Sequence, residues 1–218
     1  MTTQSNRDRL TVAVPRGALL GDSLALLEAA GFDVLEVREN ERKLFFDRQG
    51  IITMRPSDVP TYVEHGVADI GIVGKDVLME QFERDVYELL DLGFGLCRMV
   101  VAVPKDNIGA LDNTSTTHRV ATSYTAMAER HFAATGRQIE VIEIRGSVEL
   151  SAISGLADGI VDLTATGTTL RENGLVETEE IAVCTARLIA NPASYRLKVD
   201  QIDSLVATLR QLVAAQAG

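Results

Sequence analysis

Short apolar runs alternate with segments of helical periodicity along most of this 218-residue chain, and this alternation constrains the fold more than any other feature. The first run, residues 10–14, stops at Pro15 and Gly17 and is followed by apolar residues at helical spacing over residues 19–30. This pattern predicts a buried strand, a turn and a helix. Because such units recur, we expect an α/β protein with a parallel-rich sheet covered by helices.

The same criteria predict the remaining elements. Strands are expected at residues 34–37, 44–46, 51–54, 68–73, 95–103, 119–121, 139–144, 160–162 and 181–189, and helices at 57–63, 75–81, 124–134, 148–153 and 199–213. The polar stretch 105–117 has no period and is the predicted crossing between two lobes. A Gly-x-Ala-Asp turn at residues 66–69 and again at 155–158 indicates two similar lobes, although chance likeness of two turns explains it equally well.

Composition and charge exclude several classes of protein. With 31 Asp and Glu against 21 Lys and Arg, the net charge of −10 argues against a general nucleic-acid or anionic-membrane surface. No signal-peptide-like or membrane-spanning apolar segment is found, so we expect a cytoplasmic protein. Cys97 and Cys184 lack CxxC spacing and are expected to be free thiols. His65, His118 and His131 are scattered, which argues against a zinc site or a histidine-based triad.

Residues 162–170, Asp-Leu-Thr-Ala-Thr-Gly-Thr-Thr-Leu, are the most informative stretch. A strand end, a hydroxyl-rich turn and a helix start can hold a phosphate through backbone N–H groups and Thr hydroxyls, and Gly167 lets the backbone approach closely. The carboxylate of Asp162 can accept hydrogen bonds from ribose hydroxyls. The simpler alternative is a Thr-rich helix start with an incidental aspartate. The GxxxxGK[ST] pattern of a Walker loop is absent.

Glu149, Gly155, Asp162 and the Thr166-Gly167-x-Thr169-Leu170 block together resemble the signature of ATP phosphoribosyltransferase, the first enzyme of histidine biosynthesis. Residues 55–60, 71–78, 146–150 and 187–191 agree with the same family. The resemblance implies a two-lobed fold like the type II periplasmic-binding proteins, with parallel-rich mixed sheets and a cleft between the lobes. Lobe I would comprise residues 1–103 and 184–218, and lobe II residues 104–183 with the phosphoribosyl pyrophosphate loop.

The resemblance also implies the reaction. The 5-phosphoribosyl group would pass from phosphoribosyl pyrophosphate to N1 of ATP, with release of pyrophosphate, and Mg²⁺ would be carried by the pyrophosphate rather than by protein ligands. Carried over by position, the residues that bind phosphoribosyl pyrophosphate are Glu149 and Asp162 at the ribose, and Thr164, Ala165, Thr166, Gly167, Thr168 and Thr169 around the phosphate.

Such a transfer depends on positioning and on cations aimed at the leaving group. The candidate cations are Arg16, Arg42, Lys43, Arg55 and Lys75; of these, Arg16 and Arg42 are predicted to be catalytic, and Arg16, Arg42, Arg55, Lys75 and Asp76 to bind ATP or pyrophosphate. Each cation has a simpler interpretation as a solvated surface group. Many family members have Lys-Gly-Arg where this chain has Arg-Gly-Ala at residues 16–18. Either Arg16 and Arg42 therefore bind the leaving group, or activity depends on groups from elsewhere.

Because the chain ends at Gly218, directly after the last predicted helix, it resembles the short form of the family. The resemblance implies a homodimer alone and a hetero-octamer with a regulatory subunit similar to histidyl-tRNA synthetase. Two alternatives depend on Ala18: an anion-binding module of the same fold without chemistry, and a regulatory paralogue that has lost catalysis.

Overall fold

The structure, a computed structural model, describes residues 9–40 and 42–216. The chain forms two compact units. The first contains the described residues up to Leu78, then Phe82–Gly95, then the described residues from Thr185 onward. The second contains Met79–Gln81 and Leu96–Cys184.

The strands follow one another as β1 Val12–Pro15, β2 Phe45–Phe46, β3 Ile51–Met54, β4 Ile70–Gly74, β5 Tyr87–Asp91, β6 Cys97–Pro104, β7 His118–Thr122, β8 Ile139–Glu143, β9 Gly159–Thr164, β10 Leu175–Cys184 and β11 Ala186–Ala190. The helices are α1 Leu20–Ala29, α2 Leu35–Glu39, α3 Val59–Glu64, α4 Lys75–Glu80, α5 Thr125–Ala134, α6 Glu149–Ile153, α7 Thr168–Glu172, α8 Pro192–Leu197 and α9 Val199–Gln216. Two 3₁₀ turns, Pro56–Asp58 and Lys105–Asn107, complete the regular structure of the described residues.

The first unit is built on a sheet of strand order β2-β3-β1-β4-β11-β5. Strands β3, β1 and β4 are parallel, whereas β2, β11 and β5 pair antiparallel to their neighbours. Every residue of β1, β3 and β4 is buried, as expected for strands covered on both faces. Alternate residues of β1 face different cores: Val12 and Val14 pack with α1 and α9, and Ala13 packs with α3.

Helix α3 lies unusually close to β4. A Cβ atom added at Gly71 would come within 2.8 Å of Val59 Cγ1 and Val63 Cγ2, so any larger residue would force the helix away from the sheet. The glycine therefore fixes the packing distance of α3 against the centre of the first sheet.

The second unit is built on a sheet of strand order β10-β6-β9-β7-β8. Strands β9, β7 and β8 are parallel, and β6 pairs antiparallel with both β9 and β10. Alternate residues of β6 again serve two cores: Val101 packs with Phe132 of α5, and Ala102 packs with Leu170 of α7. The packing of Leu170 anchors α7, and with it the loop that follows β9, to this sheet.

Several elements of the structure differ from the sequence-based expectations. Residues 34–37 were expected to form a strand, but α2 begins at Leu35 because Val34 and Val37 are both buried, three positions apart, while Leu35 is 64% exposed. Residues 181–189 were expected to form one strand, but they belong to β10 and β11, which lie in different sheets. The helix that the sequence predicts after the threonine-rich turn begins at Thr168, within the run of threonines.

The chain passes between the two compact units at residues 78–79, 81–82, 95–96 and 184–185, since the short segment Met79–Gln81 belongs to the second unit. Strand β6 pairs with β9 and β10, so residues 97–103, which the family resemblance assigned to lobe I, lie in the sheet of the second unit. The polar stretch 105–117, expected to be the crossing, lies wholly within the second unit.

Candidate active site

The loop between β9 and α7 turns at Gly167. Gly167 has φ +70°, a left-handed conformation that L side chains rarely adopt, and it precedes the first residue of α7. Its N–H donates to Thr164 Oγ1 at 2.8 Å, which closes the turn. Thr164 is buried, whereas Ala165, Thr166, Thr168 and Thr169 are exposed. The buried hydroxyl thus shapes the loop, and the exposed threonines can meet a ligand.

Arg171, one turn into α7, braces this loop. Its Nη1 donates to the carbonyl oxygen of Thr166 at 2.9 Å and its Nη2 donates to Thr168 Oγ1 at 3.0 Å. The hydroxyls of Thr166 and Thr168 are themselves 3.0 Å apart. The guanidinium therefore holds two loop residues in a fixed relation and brings a positive charge to a loop that has no cation of its own.

A carboxylate lies beneath the same loop. A Cβ atom added at Gly167 would come within 2.5 Å of Glu177 Oε1 and 2.9 Å of Arg171 Nη1, so both groups lie against the glycine backbone. Arg98 of β6 pairs with Glu177 at 2.8 Å and with Glu180 at 3.4 Å. Because Arg98 compensates the charge of Glu177, this carboxylate opposes an anion in the loop less than it would alone.

Asp162 lies in β9, two residues before Thr164, and is partly buried. Burial raises the pKa of its carboxyl to about 6, with a further rise from the charge of Glu149, while the hydrogen bond from the N–H of Leu163 to Oδ1 at 2.8 Å acts in the opposite direction. Glu149 is the first residue of α6 and is also partly buried. Glu149, Asp162 and residues 164–169 all belong to the second unit.

In the first unit, Arg16 follows β1 directly, at the carboxyl end of a parallel strand. Its Nε donates to Thr53 Oγ1 at 3.1 Å and its Nη2 donates to the carbonyl oxygen of Lys43 at 2.9 Å. The backbone N–H of Arg16 donates to the carbonyl oxygen of Met54 at 2.8 Å. Arg16 is half-buried. These hydrogen bonds fix the position of its guanidinium, unlike that of a solvated surface arginine.

The other cations of the first unit are held less firmly. Arg42 and Arg55 are exposed, and Arg55 precedes the 3₁₀ turn that begins at Pro56. Lys75, the first residue of α4, pairs with Glu88 of β5 at 2.6 Å. Asp76 is buried, and its carboxylate lies so close to the α-carbon of Gly74 that a side chain at that position would collide with it. Asp76 is therefore packed into the start of α4.

Sequence analysis missed three residues of these arrangements: Arg171, Glu177 and Thr53. The sequence spacing could have identified Arg171. It lies three residues after Thr168, and residues at this spacing are neighbours on a helix surface. Glu177 and Thr53 reach their partners only through strand pairing, which leaves no local signal in the sequence.

Between residues 9 and 216, apart from 41, no group of three or more His, Cys, Asp or Glu side chains is arranged to hold a metal ion. Within those same residues, no helix has the length and apolar character needed to cross a membrane.

The architecture and the loop together define an α/β protein with a threonine-rich strand-to-helix turn closed at a left-handed glycine. The sequence model of the family described as HisG, ATP phosphoribosyltransferase, matches residues 55–211. The protein named ATP phosphoribosyltransferase from Rubrobacter xylanophilus is 53% identical over 205 residues, 92% of this chain and 94% of that protein. The one from Bacillus subtilis is 46% identical over 211 residues, 95% and 97% of the two chains. This chain belongs to the ATP phosphoribosyltransferase family, as its signature residues predicted.

Solved structures agree with the family and with the predicted fold class. A chain of the ATP phosphoribosyl transferase (HisG:HisZ) complex from Thermotoga maritima is 34% identical, with a TM-score of 0.81 over 95% of this chain and 100% of that chain. The periplasmic aliphatic sulphonate binding protein SsuA from Escherichia coli has a TM-score of 0.60 at 15% identity, over 94% of this chain and 72% of that chain. The second likeness concerns the fold alone and confirms the predicted similarity to periplasmic-binding proteins.

Proposed function

We propose that the chain catalyses the transfer of the 5-phosphoribosyl group from phosphoribosyl pyrophosphate to N1 of the adenine of ATP, the first step of histidine biosynthesis. Membership of the ATP phosphoribosyltransferase family supports this reaction. One observation supports the assignment of this reaction to particular residues. In the loop after β9, a left-handed Gly167 and exposed threonines follow Asp162.

Asp162 and Glu149 are assigned to the ribose of phosphoribosyl pyrophosphate. The raised pKa of Asp162, about 6, leaves its carboxyl mostly ionised at neutral pH, where it can only accept hydrogen bonds. Ribose hydroxyls are matching donors, and their binding would offset the desolvation that raises this pKa. A ligand with several hydroxyl groups would thus supply the hydrogen-bond donors that the Asp162 carboxylate can accept.

The loop residues Thr164, Ala165, Thr166, Gly167, Thr168 and Thr169 are assigned to the 5-phosphate. Thr164 acts through the shape of the loop, because its hydroxyl already accepts the N–H of Gly167. Thr166, Thr168 and Thr169 are exposed and carry the hydroxyls that can donate to phosphate oxygens. Arg171 adds a cation beside them, which favours a dianionic ligand.

Arg16 and Arg42 are assigned to catalysis, and both of them, with Arg55, Lys75 and Asp76, to the binding of ATP and pyrophosphate. As the anomeric bond breaks, positive charge develops on the ribose ring and negative charge on the departing pyrophosphate. A fixed cation lowers this barrier without reorganisation during the reaction. Arg16 suits this role best, since Thr53 and the carbonyl of Lys43 hold its guanidinium in place.

Ala18 occupies the position at which many family members have a second arginine. We assign the task of that arginine to Arg16, which is held in place by the protein, with exposed Arg42 as an additional cation. No proton has to be removed by a strong base in this scheme, so the site needs positioned charges more than a general base.

The enzyme class uses a metal ion, and we assign it as Mg²⁺. Mg²⁺ keeps several waters and is commonly bound through substrate phosphates together with few protein ligands. We assign this ion to the pyrophosphate of the substrate rather than to protein ligands. The ion would neutralise charge on the leaving group.

We further propose a regulatory partner similar to histidyl-tRNA synthetase, with a homodimer alone and a hetero-octamer in the complex. The likeness to a chain of the Thermotoga maritima HisG:HisZ complex supports a partner of this kind. A cytoplasmic location is proposed with it, because both substrates are cytoplasmic metabolites and neither of the two cysteines is in a disulfide.

The direct test is product formation. The pure chain would be incubated with ATP, phosphoribosyl pyrophosphate and Mg²⁺, with and without the regulatory subunit, and phosphoribosyl-ATP would be followed by its absorbance. Product that depends on both substrates supports the proposal. Binding of phosphoribosyl pyrophosphate without product under either condition would instead identify an anion-binding module or an inactive paralogue.

A further inference from the structure

Cys97 and Cys184 lie directly opposite each other on neighbouring antiparallel strands. In the pairing of β10 with β6, Cys184 is the partner of Cys97, and the two preceding pairs, Val183 with Arg98 and Ala182 with Met99, run in register. The irregularities of this pairing lie before Ala182. Residues directly opposite in an antiparallel pair project from the same face, so the two side chains are neighbours.

The spacing of the two strands suits a covalent link. Opposite residues of antiparallel strands have α-carbons about 4.5–5.5 Å apart, and disulfides join residues whose α-carbons are about 4.4–6.8 Å apart. Both cysteines are reduced in the structure. A bridge therefore needs adjustment of side chains and little movement of either strand.

The two thiols differ in exposure. Cys97 is half-buried at the start of β6, while Cys184 is 1% exposed at the end of β10. A small oxidant can therefore reach Cys97 first, and Cys184 is placed to react with the product. This is the arrangement of an accessible thiol beside a resolving thiol.

We propose that Cys97 and Cys184 are a dithiol modification site that a peroxide converts into a disulfide. The Cys97 thiolate attacks one peroxide oxygen and becomes a sulfenic acid, and the other oxygen leaves as water. Cys184 sulfur then attacks the sulfenic sulfur, the S–S bond forms and a second water leaves. The two thiols lose two electrons and two protons, which the peroxide accepts, and a dithiol reductant reverses the change.

The bridge joins the two ends of the main segment of the second unit, Leu96–Cys184. It would enclose the candidate phosphate loop and β6 to β10 in one covalent ring, which restricts the unfolded chain. This inference rests on strand register and on the exposure of the two thiols, and it is independent of the proposed catalytic function.

The test is to treat the reduced full chain with a small excess of hydrogen peroxide and to measure its intact mass, its thiol content after denaturation and its cysteine peptides. We expect loss of two hydrogens and of both thiols, a peptide in which Cys97 is linked to Cys184, no covalent dimer, and full reversal by dithiothreitol. Unchanged thiols, a covalent dimer, or sulfinic acid at Cys97 with Cys184 still free would each overturn the proposal.

Serine variants supply the matched controls. Cys184→Ser should accumulate sulfenic acid at Cys97, trapped by dimedone, because the resolving thiol is gone. Cys97→Ser should leave Cys184 unmodified under the same treatment, because that thiol is buried. If Cys184→Ser folds poorly, Cys184→Ala replaces it. Equal peroxide reactivity of the two single variants would contradict the assigned order of steps.

Discussion

The guanidinium of Arg171 donates from Nη2 to Thr168 Oγ1 at 3.0 Å while its Nη1 donates to the carbonyl oxygen of Thr166 at 2.9 Å. With this acceptor site of the Thr168 hydroxyl filled, the hydroxyl hydrogen is directed elsewhere, toward Thr166 or toward a ligand. Arg171 is therefore a positioning residue for the loop, and it acts on bound phosphate through the threonines.

Replacement of Arg171 by methionine should raise the KM for phosphoribosyl pyrophosphate roughly tenfold, the effect of losing one charge-assisted hydrogen bond. The KM for ATP and the unfolding temperature should change little, because Arg171 is exposed. Steady-state kinetics against both substrates measure this split. The matched control is Arg119→Met, since Arg119 is an exposed arginine of the same unit that also donates to a backbone carbonyl, that of Gly155.

A double-mutant cycle distinguishes positioning from direct contact. If Arg171 acts through Thr168, the effect of Arg171→Met should be smaller in a Thr168→Val background than in the wild type. Strictly additive effects on the KM for phosphoribosyl pyrophosphate would contradict positioning and would mean that Arg171 contacts the substrate itself.

Gly167→Ala should destabilise the protein and abolish binding of phosphoribosyl pyrophosphate. The new Cβ would have to tolerate φ +70° and would collide with Glu177 Oε1 at 2.5 Å. Gly136→Ala is the matched control, because Gly136 has φ +71° with no atom within 4 Å of an added Cβ. In urea unfolding, we expect the control to cost about 1 kcal/mol of the free energy of unfolding and Gly167→Ala up to about 1 kcal/mol more, because the end of the Glu177 side chain must move away. Equal costs would show that the loop is not packed as described.

Asp162→Asn should stabilise the free protein at neutral pH. Burial raises the pKa of Asp162 from 3.8 to about 6, so between these values the folded protein holds a proton that the unfolded chain has lost. This group therefore stabilises the fold fully below pH 3.8, and the contribution is lost as the pH rises through 6. The free energy of unfolding of Asp162→Asn should exceed that of the wild type by at most about 3 kcal/mol at pH 7, and this difference should shrink toward pH 4. An advantage that does not vary with pH, measured by urea unfolding, would contradict the assignment.

Thr53→Val should lower kcat without a comparable loss of stability, because Thr53 Oγ1 accepts a hydrogen bond from Arg16 Nε. Loss of Arg16 itself, as Arg16→Met, should lower kcat by about 100-fold or more, as for a lost preorganised charge in a transition-state site. The kcat of Thr53→Val should lie between the kcat of Arg16→Met and that of the wild type. Thr208→Val, which removes a hydroxyl bonded within α9, is the control and should leave kcat unchanged.

Sequence periodicity identified most of the elements around the candidate site because each is locally determined. Strand β9, the glycine at the left-handed position and the threonines are consecutive, and the family signature covers them. The strand expected at residues 34–37 was wrong because β-branched residues favoured an extended chain, whereas tertiary packing buries Val34 and Val37 on one helical face.

What sequence could not supply is register. Three contacts depend on which strands become neighbours. They are the contact of Glu177 with Gly167, the hydrogen bond from Arg16 to Thr53 and the pairing of Cys97 with Cys184. The same limit explains why residues 181–189 were expected to form one strand: the change of sheet at Thr185 leaves no break in the apolar pattern.

The assignment of residues 164–169 to the phosphate of phosphoribosyl pyrophosphate is tested most directly by calorimetric binding of that substrate to the wild type and to Thr169→Val. Valine keeps the shape of the exposed side chain and removes only the hydroxyl. We predict that the wild type binds and that Thr169→Val binds roughly tenfold more weakly with an unchanged unfolding temperature, while Thr208→Val binds as the wild type does. Equal affinity of Thr169→Val and the wild type would contradict the phosphate loop.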